Sequence, residues 1–175
     1  YMRYAGILEN DFVNGQGVCV SFWCQGCPLH CPGCHNPQTW SFEGGLEATE
    51  DDIISHVLEA LKANGILRNL SILGGEPMCK QNIDFVNLLL YQVKKVYPDI
   101  KIYLWSGYTL EQLQEMSKPD NGIRFVLDKI DMLAAGPFIL AERDITLPFV
   151  GSRNQKVYFK DSKGEFYEKD FRDNI

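Results

Sequence analysis

The chain has 175 residues, 45% of them hydrophobic, and its 17 basic and 23 acidic side chains give a formal net charge of −6. This length and apolar content predict one folded domain over residues 1–175 and exclude a disordered chain. The acidic balance argues against a nucleic-acid or anionic-membrane surface, because both partners favour basic patches. Residues 1–8 show no export signal, and no apolar run approaches the roughly 18 residues that cross a bilayer, so we expect a cytoplasmic protein.

Short β-rich runs alternate with amphipathic segments along the chain. The predicted elements in chain order are a strand at Val18–Trp23, a helix over 50–63, a strand at Leu70–Leu73, a helix over 81–96, a strand at Ile100–Trp105, a helix after Thr109, a helical turn at Arg124–Leu127, a strand at Ile130–Leu133, and a hairpin of Val157–Lys160 with Glu165–Tyr167. This alternation predicts βαβ units, and therefore an α/β fold with a largely parallel sheet.

Helix-capping residues support two of these helices. Thr49 is a candidate N-cap for the helix over 50–63, and Thr109 with Gln112 has the spacing of a capping box. Three loops should follow strands of the sheet: the cysteine-rich loop, the turn Gly74-Gly75-Glu76-Pro77, and the loop that begins at Ser106. Ligands bind at the carboxyl ends of parallel strands, so we expect these loops to form one site.

The cysteines are concentrated in one short segment. Five of the six fall between positions 19 and 34, namely Cys19, Cys24, Cys27, Cys31 and Cys34, and the sixth is Cys79. A secreted disulfide scaffold would spread its cysteines along a shorter chain, so this pattern favours a metal site in a reducing compartment. Cys27, Cys31 and Cys34 have the spacing C-x3-C-x2-C, interrupted by prolines and a glycine. They predict a tight loop whose sulfurs converge on one point.

Four interpretations of this cluster compete. Cys24 with Cys27 and Cys31 with Cys34 look like two zinc knuckles, but three residues separate the pairs where a zinc ribbon has roughly 15–20. The order of the cysteines also differs from the four-thiolate ferredoxin pattern. Burial in the core without a metal is the usual explanation for a single cysteine. It explains poorly three cysteines that lie so close together in the sequence. The fourth interpretation is an iron–sulfur cluster with three protein thiolates, which leaves one iron open to a ligand, as catalytic metal sites do.

The remaining candidates have plain structural interpretations. Cys24 is expected in the wall of the site, Cys19 in the sheet, and Cys79 in a structural position. Trp23 could shield a reactive site from water or simply pack in the core. Among the histidines, only His35 borders the predicted site closely, whereas His30 and His56 are expected to be structural.

Several motifs together resemble a known superfamily. C-x3-C-x2-C followed by Gly-Gly-Glu-Pro is similar to the radical S-adenosylmethionine (SAM) superfamily, and within it to the small activators of glycyl-radical enzymes that serve anaerobic ribonucleoside-triphosphate reductases. The matching stretches are 26–37, 74–77, 105–109, 136–138 and 151–155. One departure is Ala135, which stands before Gly136 where the family often has an acidic residue; Asp131 lies four positions earlier.

The resemblance implies a partial β/α barrel with one [4Fe–4S] cluster on Cys27, Cys31 and Cys34. SAM would chelate the fourth iron, and the implied cofactor-binding residues are Gly33, His35, Gly74, Gly75, Glu76, Pro77 and Ser106. Reductive cleavage of SAM would give a 5′-deoxyadenosyl radical that takes a hydrogen atom from a glycine of the reductase. An electron donor such as flavodoxin would reduce the cluster.

Other activities remain open at this stage. A pyruvate formate-lyase activase or a 7-carboxy-7-deazaguanine synthase would also be a small radical SAM enzyme. A ferredoxin-like electron carrier or a zinc-binding adaptor would instead be a binding protein.

Overall fold

The computed structural model describes residues 1–170, and within them it has eight β-strands and four α-helices. The strands are β1 (Met2–Asp11), β2 (Cys19–Cys24), β3 (Leu46–Ala48), β4 (Asn69–Gly74), β5 (Ile102–Ser106), β6 (Met132–Ala135), β7 (Lys156–Lys160) and β8 (Phe166–Glu168). The helices are α1 (Glu50–Leu61), α2 (Ile83–Val96), α3 (Leu110–Ser117) and α4 (Asn121–Lys129). None of these four helices is long and apolar enough to cross a bilayer.

All the strands in residues 1–170 belong to one mixed sheet with the order β3-β1-β2-β4-β5-β6-β7-β8. The central strands β2, β4, β5 and β6 run parallel, and helices connect them. The pairings outside this centre are antiparallel. The α/β class is therefore confirmed, but the expectation of a largely parallel sheet is wrong.

The error comes from the amino-terminal part of the sheet. β1 was not predicted, because Gly6 and two register irregularities against β2 break the alternation of apolar and polar residues. β3 is only three residues long, too short to give a pattern. Together these two strands add two antiparallel pairings on one side of the parallel centre.

The helices cover one face of the sheet, where side chains such as Phe22, Ile72 and Leu104 form the main core with the apolar faces of α1, α2 and α4. The opposite face has a smaller apolar cluster, which includes Cys19, Tyr103 and Met132. Because successive residues of a strand point to opposite faces, the same strands supply both clusters. The face without helices is left free for loops and a cavity.

The predicted helix starts are confirmed at two positions. Thr49 accepts a hydrogen bond from the backbone N–H of Asp52 at 3.1 Å, and Thr109 and Gln112 form the reciprocal capping box. The helical turn expected at Arg124–Leu127 is part of a longer helix, α4. Asp120 begins that helix by accepting hydrogen bonds from the next turn, so the adjacent Asn-Gly pair does not form the tight turn that it usually indicates.

Candidate active site

The cysteine-rich loop leaves the end of β2 and is closed at both of its ends. The N–H of Gly26 donates to the carbonyl of Thr39 at 2.7 Å, and the N–H of Cys27 donates to the carbonyl of Trp40 at 3.0 Å. Between these anchors, the N–H of Cys34 donates to the carbonyl of Cys31 at 3.1 Å. The loop is therefore a closed lobe whose three cysteines lie beyond the last sheet hydrogen bonds.

The six thiols fall into two groups by exposure. Cys27, Cys31 and Cys34 are half-buried, whereas Cys19, Cys24 and Cys79 are buried. Burial raises the pKa of the Cys24 thiol well above its usual value, and the nearby Glu76 and Cys79 add to this effect. A buried thiol that keeps its proton is a poor metal ligand, because thiolates are the ligating form. Burial also raises the pKa of the Cys27 thiol, so it is exposure that distinguishes the half-buried group, which has the C-x3-C-x2-C spacing.

The sulfurs of Cys27, Cys31 and Cys34 were expected to converge on one point. Within residues 1–170, no three His, Cys, Asp or Glu side chains are grouped around a position for a single metal ion. This finding concerns a single metal ion, so convergence of the three sulfurs on a cluster stays a prediction. A [4Fe–4S] cluster needs a different arrangement, because each thiolate ligand binds a different iron at the perimeter of the cluster. Three accessible thiols facing one space are a donor set that fits such a cluster.

That space is a cavity of about 270 Å³. Its wall includes Cys27, Cys31 and Cys34, together with residues 73–76 at the end of β4 and 105–107 at the end of β5. The three loops predicted to share a site therefore do meet at the carboxyl ends of the parallel strands. Among the predicted cofactor-binding residues, the cavity is lined by His35, Gly74, Gly75, Glu76 and Ser106.

Gly33 and Pro77 are outside that lining. Gly33 has φ of +78°, a left-handed conformation that suits glycine, and it forms part of the turn from Cys31 to Cys34. Pro77 is buried in the turn after β4. Both residues shape the loops that carry the cavity wall.

The structure gives a specific reason for the paired glycines. A Cβ at Gly75 would lie 2.3 Å from the carbonyl oxygen of Gly26, and one at Gly74 would lie 2.6 Å from the backbone of Cys24. The N–H of Gly75 also donates to the carbonyl of Cys24 at 2.8 Å. Both glycines are thus required by the close approach of β4 to the chain that leaves β2. The close approach of a ligand to these glycines, which the sequence suggested, stays a prediction; both line the cavity.

Glu76 is buried, with 1% of its surface exposed. One carboxylate oxygen accepts a hydrogen bond from the N–H of Gly107 at 2.6 Å, and the other accepts from the Ser106 hydroxyl at 2.8 Å and the N–H of Met78 at 3.0 Å. Burial raises the pKa of this carboxyl to about 7, even though these hydrogen bonds favour the charged form. Three protein donors already occupy most of the lone pairs of this carboxylate. Its main role in the structure is to hold the ends of β4 and β5 together.

The aromatic and histidine side chains are divided between the cavity and the surface. The ring of His35 lies 5.2 Å from that of Phe138, and both residues line the cavity. His30 stacks on Trp40 at 4.8 Å, and His56 pairs with Glu9 on the surface. Trp23 is half-buried and lines the cavity, and its role as a shield stays a prediction.

Sequence reasoning missed the loop between β1 and β2. Asp11 is buried and accepts hydrogen bonds from the Ser21 hydroxyl at 2.5 Å and the N–H of Val13 at 2.9 Å. Asn14, which lines the cavity, donates its side-chain amide to Asp11 at 2.7 Å and accepts from Ser71 at 2.5 Å. The sequence signal for this loop was Asp11, three residues before the Asn-Gly pair, a pattern typical of a loop held by a side-chain cap.

Gln155 is a second residue without a predicted role. Its side-chain oxygen accepts from the N–H of Gly151 at 2.9 Å and of Ser152 at 3.0 Å, and its amide donates to the carbonyl of Gly136 at 3.0 Å. It also lines the cavity. Residues 136–138 and 151–155, two of the stretches that carry the family resemblance, thus form one connected wall.

A family model described as "4Fe-4S single cluster domain" matches residues 13–158. This range contains the three half-buried cysteines and all of the cavity wall described above. The fold and the site therefore define a protein with a single-cluster iron–sulfur domain.

Three similar proteins specify the family further. The chain is 36% identical to a protein of Vibrio cholerae over 158 residues, which is 90% of this chain and 97% of that one. It is 35% identical to a protein of Pasteurella multocida with the same coverage, and 32% identical to one of Escherichia coli K12 over 90% of this chain and 98% of that one. Each is named anaerobic ribonucleoside-triphosphate reductase-activating protein. The chain belongs to this family of activating proteins, which confirms the resemblance inferred from the sequence.

Proposed function

We propose that this protein is a radical SAM activase that reductively cleaves SAM and generates a glycyl radical on an anaerobic ribonucleoside-triphosphate reductase. The observation that carries the proposal is the shared cavity, in which three half-buried thiols face the loops after β4 and β5. The names of the relatives support the choice of reductase over a lyase or a small-molecule substrate.

In this proposal, Cys27, Cys31 and Cys34 hold the cluster. When bound, a [4Fe–4S] cluster with one iron free of protein ligands supplies the electron that cleaves SAM, and the resulting radical takes a hydrogen atom from the glycine. An external one-electron donor such as flavodoxin would reduce the cluster. The chain's own contribution is to position the ligands and to limit access of water.

SAM would lie against the ends of β4 and β5. The backbone of Gly74 and Gly75 and the carboxyl of Glu76 border the cavity beside Ser106 and His35. The Ser106 hydroxyl already donates to Glu76 and accepts from the N–H of Tyr108 at 3.1 Å. Its proposed role is therefore to form the wall of the ligand site. Gly33 and Pro77 would act by fixing the turns on either side.

We also propose that residues 1–175 form one radical SAM domain with a partial barrel. Two features support this: the strands of residues 1–170 form one sheet, and its cavity lies on the face opposite the helices. A cytoplasmic location belongs to the same proposal, because unpaired thiols and a reduced cluster need a reducing compartment.

The test is anaerobic reconstitution of the protein with iron and sulfide, followed by addition of SAM, dithionite and an anaerobic ribonucleoside-triphosphate reductase. We expect methionine to be released and a glycyl radical on the reductase to be seen by electron paramagnetic resonance. The triple variant of Cys27, Cys31 and Cys34 to Ala should give neither product, whereas Cys19→Ala should give both. A reconstituted wild-type protein that releases methionine but gives no radical on the reductase would refute the proposed target.

A further inference from the structure

A second cavity adjoins the candidate active site on the β1 side of the sheet. It is an open groove of about 540 Å³ that runs along residues 5–8 of β1, with Gln25, Gln38 and Gly45 also among its lining residues. Trp23 and Asn36 line both this cavity and the active-site cavity. The two spaces therefore adjoin at Trp23 and Asn36, and we call the second one the β1 groove.

Gly6 contributes no side chain to the β1 groove that it lines. Gly6 pairs with Trp23 in the antiparallel ladder of β1 and β2, and paired residues project to the same face of a sheet. A Cβ built at Gly6 would meet nothing within 4 Å, and the φ of this residue is outside the left-handed range. The backbone therefore does not require glycine here. The effect of glycine at position 6 is to leave one side of Trp23 open.

The outer edge of β1 is also open along the groove. In the described part of the chain, β3 pairs with β1 only at Met2, Arg3 and Tyr4, although β1 extends to Asp11. From Ala5 onward, the edge of β1 that faces away from β2 has no strand beside it. Such an edge presents N–H and C=O groups that an extended peptide can pair with by adding a strand.

We propose that the β1 groove binds the polypeptide that flanks the target glycine, as an extended segment along the outer edge of β1. This inference rests on the proposed function, since it takes a glycine within a protein as the substrate. A glycine in a polypeptide reaches the active-site cavity only if its flanking residues leave by an adjoining path, and the β1 groove is such a path. Main-chain pairing would hold the segment whatever its side chains, and the space beside Trp23 would admit one residue.

The test compares Gly6→Phe with the matched variant Gly6→Ala. The phenyl ring would fill the space beside Trp23, whereas a methyl group would leave most of it open. In Gly6→Phe we expect the KM for the reductase, measured by glycyl-radical formation, to rise about tenfold or more, the effect of losing one well-packed contact. Cleavage of SAM with dithionite in the absence of reductase should match the wild type in both variants. An unchanged KM in a folded Gly6→Phe variant would overturn the proposal.

A measurement on the unaltered protein keeps the test independent of how the variant folds. Hydrogen exchange with and without the reductase should show slower exchange of backbone amides within residues 5–10, with no such change in the distant helix α4. Unchanged exchange of residues 5–10 in a complex that still forms the glycyl radical would refute the groove while leaving the proposed function intact. Absence of the radical with the wild-type protein would instead refute the proposed function.

Discussion

Ser106 donates its hydroxyl proton to the carboxylate of Glu76 at 2.8 Å, which joins the ends of two neighbouring parallel strands. The N–H of Glu76 in turn donates to the carbonyl of Gly26 at 2.9 Å, at the start of the cysteine-rich loop. The amide of Asn82 donates to the carbonyls of both Gly26 and Glu76. The loops after β2, β4 and β5 are thus held together by buried hydrogen bonds before any ligand arrives, as precise binding requires.

The first prediction concerns the pH dependence that Glu76 gives to stability. Its pKa is about 7 when folded against an ordinary value of 4.5, so the folded state binds more protons between these two pH values. The free energy of unfolding should therefore fall as pH rises from about 4.5 to about 7, by an amount on the order of 3 kcal/mol, and Glu76 should add no further change above this window. Urea unfolding of the protein without its cluster measures this slope.

The control for this prediction is Glu76→Gln, which cannot titrate. Its free energy of unfolding should lack the Glu76 contribution, so the difference between variant and wild type should change across the same window. A difference that stays constant from pH 4.5 to 7 would contradict the raised pKa.

The second prediction separates the two groups of cysteines. Replacing Cys27, Cys31 or Cys34 with Ala should abolish binding of a four-iron cluster, because the remaining thiols are buried and cannot substitute. Cys24→Ala and Cys79→Ala should keep it. Iron and sulfide analysis after anaerobic reconstitution, with the visible absorption spectrum, gives the measurement. Loss of iron in Cys24→Ala, with the fold intact by circular dichroism, would make Cys24 a ligand.

The third prediction follows from the approach of Gly75 to Gly26. In Gly75→Ala the new methyl group would meet the Gly26 carbonyl at 2.3 Å, so a backbone must move. We expect a loss of about 1–3 kcal/mol in the free energy of unfolding, which is typical of overpacking. Gly6→Ala is the control, since its methyl group meets nothing within 4 Å. Equal stability of the two variants in urea would show that the close approach is absent.

The fourth prediction concerns the loop that Asp11 holds. Burial raises the pKa of this carboxyl, but hydrogen bonds from Ser21, Asn14 and Val13 outweigh it and lower the pKa overall. Asp11→Ala should lose about 1–3 kcal/mol of stability, since buried donors lose their acceptor. The contribution of Asp11 should be present at neutral pH and disappear as pH falls through its lowered folded pKa. Glu43→Ala, at an exposed position, should leave stability at neutral pH unchanged in the same urea titrations.

The parts of the site that could be predicted are those encoded in short stretches of chain. The spacing of Cys27, Cys31 and Cys34 predicted a loop that does border the cavity, and Thr109 with Gln112 identified a helix start, because the interacting groups are within one turn or loop. The turn of Gly74 and Gly75 was also recognised. Its physical cause was not, because the atom that excludes a side chain at Gly75 belongs to Gly26, far away in the sequence.

Other features depend on partners that no local pattern reveals. The bond from Ser106 to Glu76 spans 30 positions, and the one from Ser71 to Asn14 spans 57. The strand β1 was missed because Gly6 and its irregular register obscure the alternation on which strand prediction depends. The position of Asn14 in the cavity wall and the shape of the groove beside β1 both depend on these long-range contacts.

The closed lobe between Gly26 and Trp40 would make the folding of the sheet independent of the proposed cluster. Its two anchoring hydrogen bonds are made by backbone groups and include no sulfur. Oxygen attacks exposed iron–sulfur centres, and here the damage would be confined to a segment whose ends are fixed independently of the metal. A chain that has lost its cluster should remain folded and accept a new one, so that each protein molecule can outlast several of its clusters.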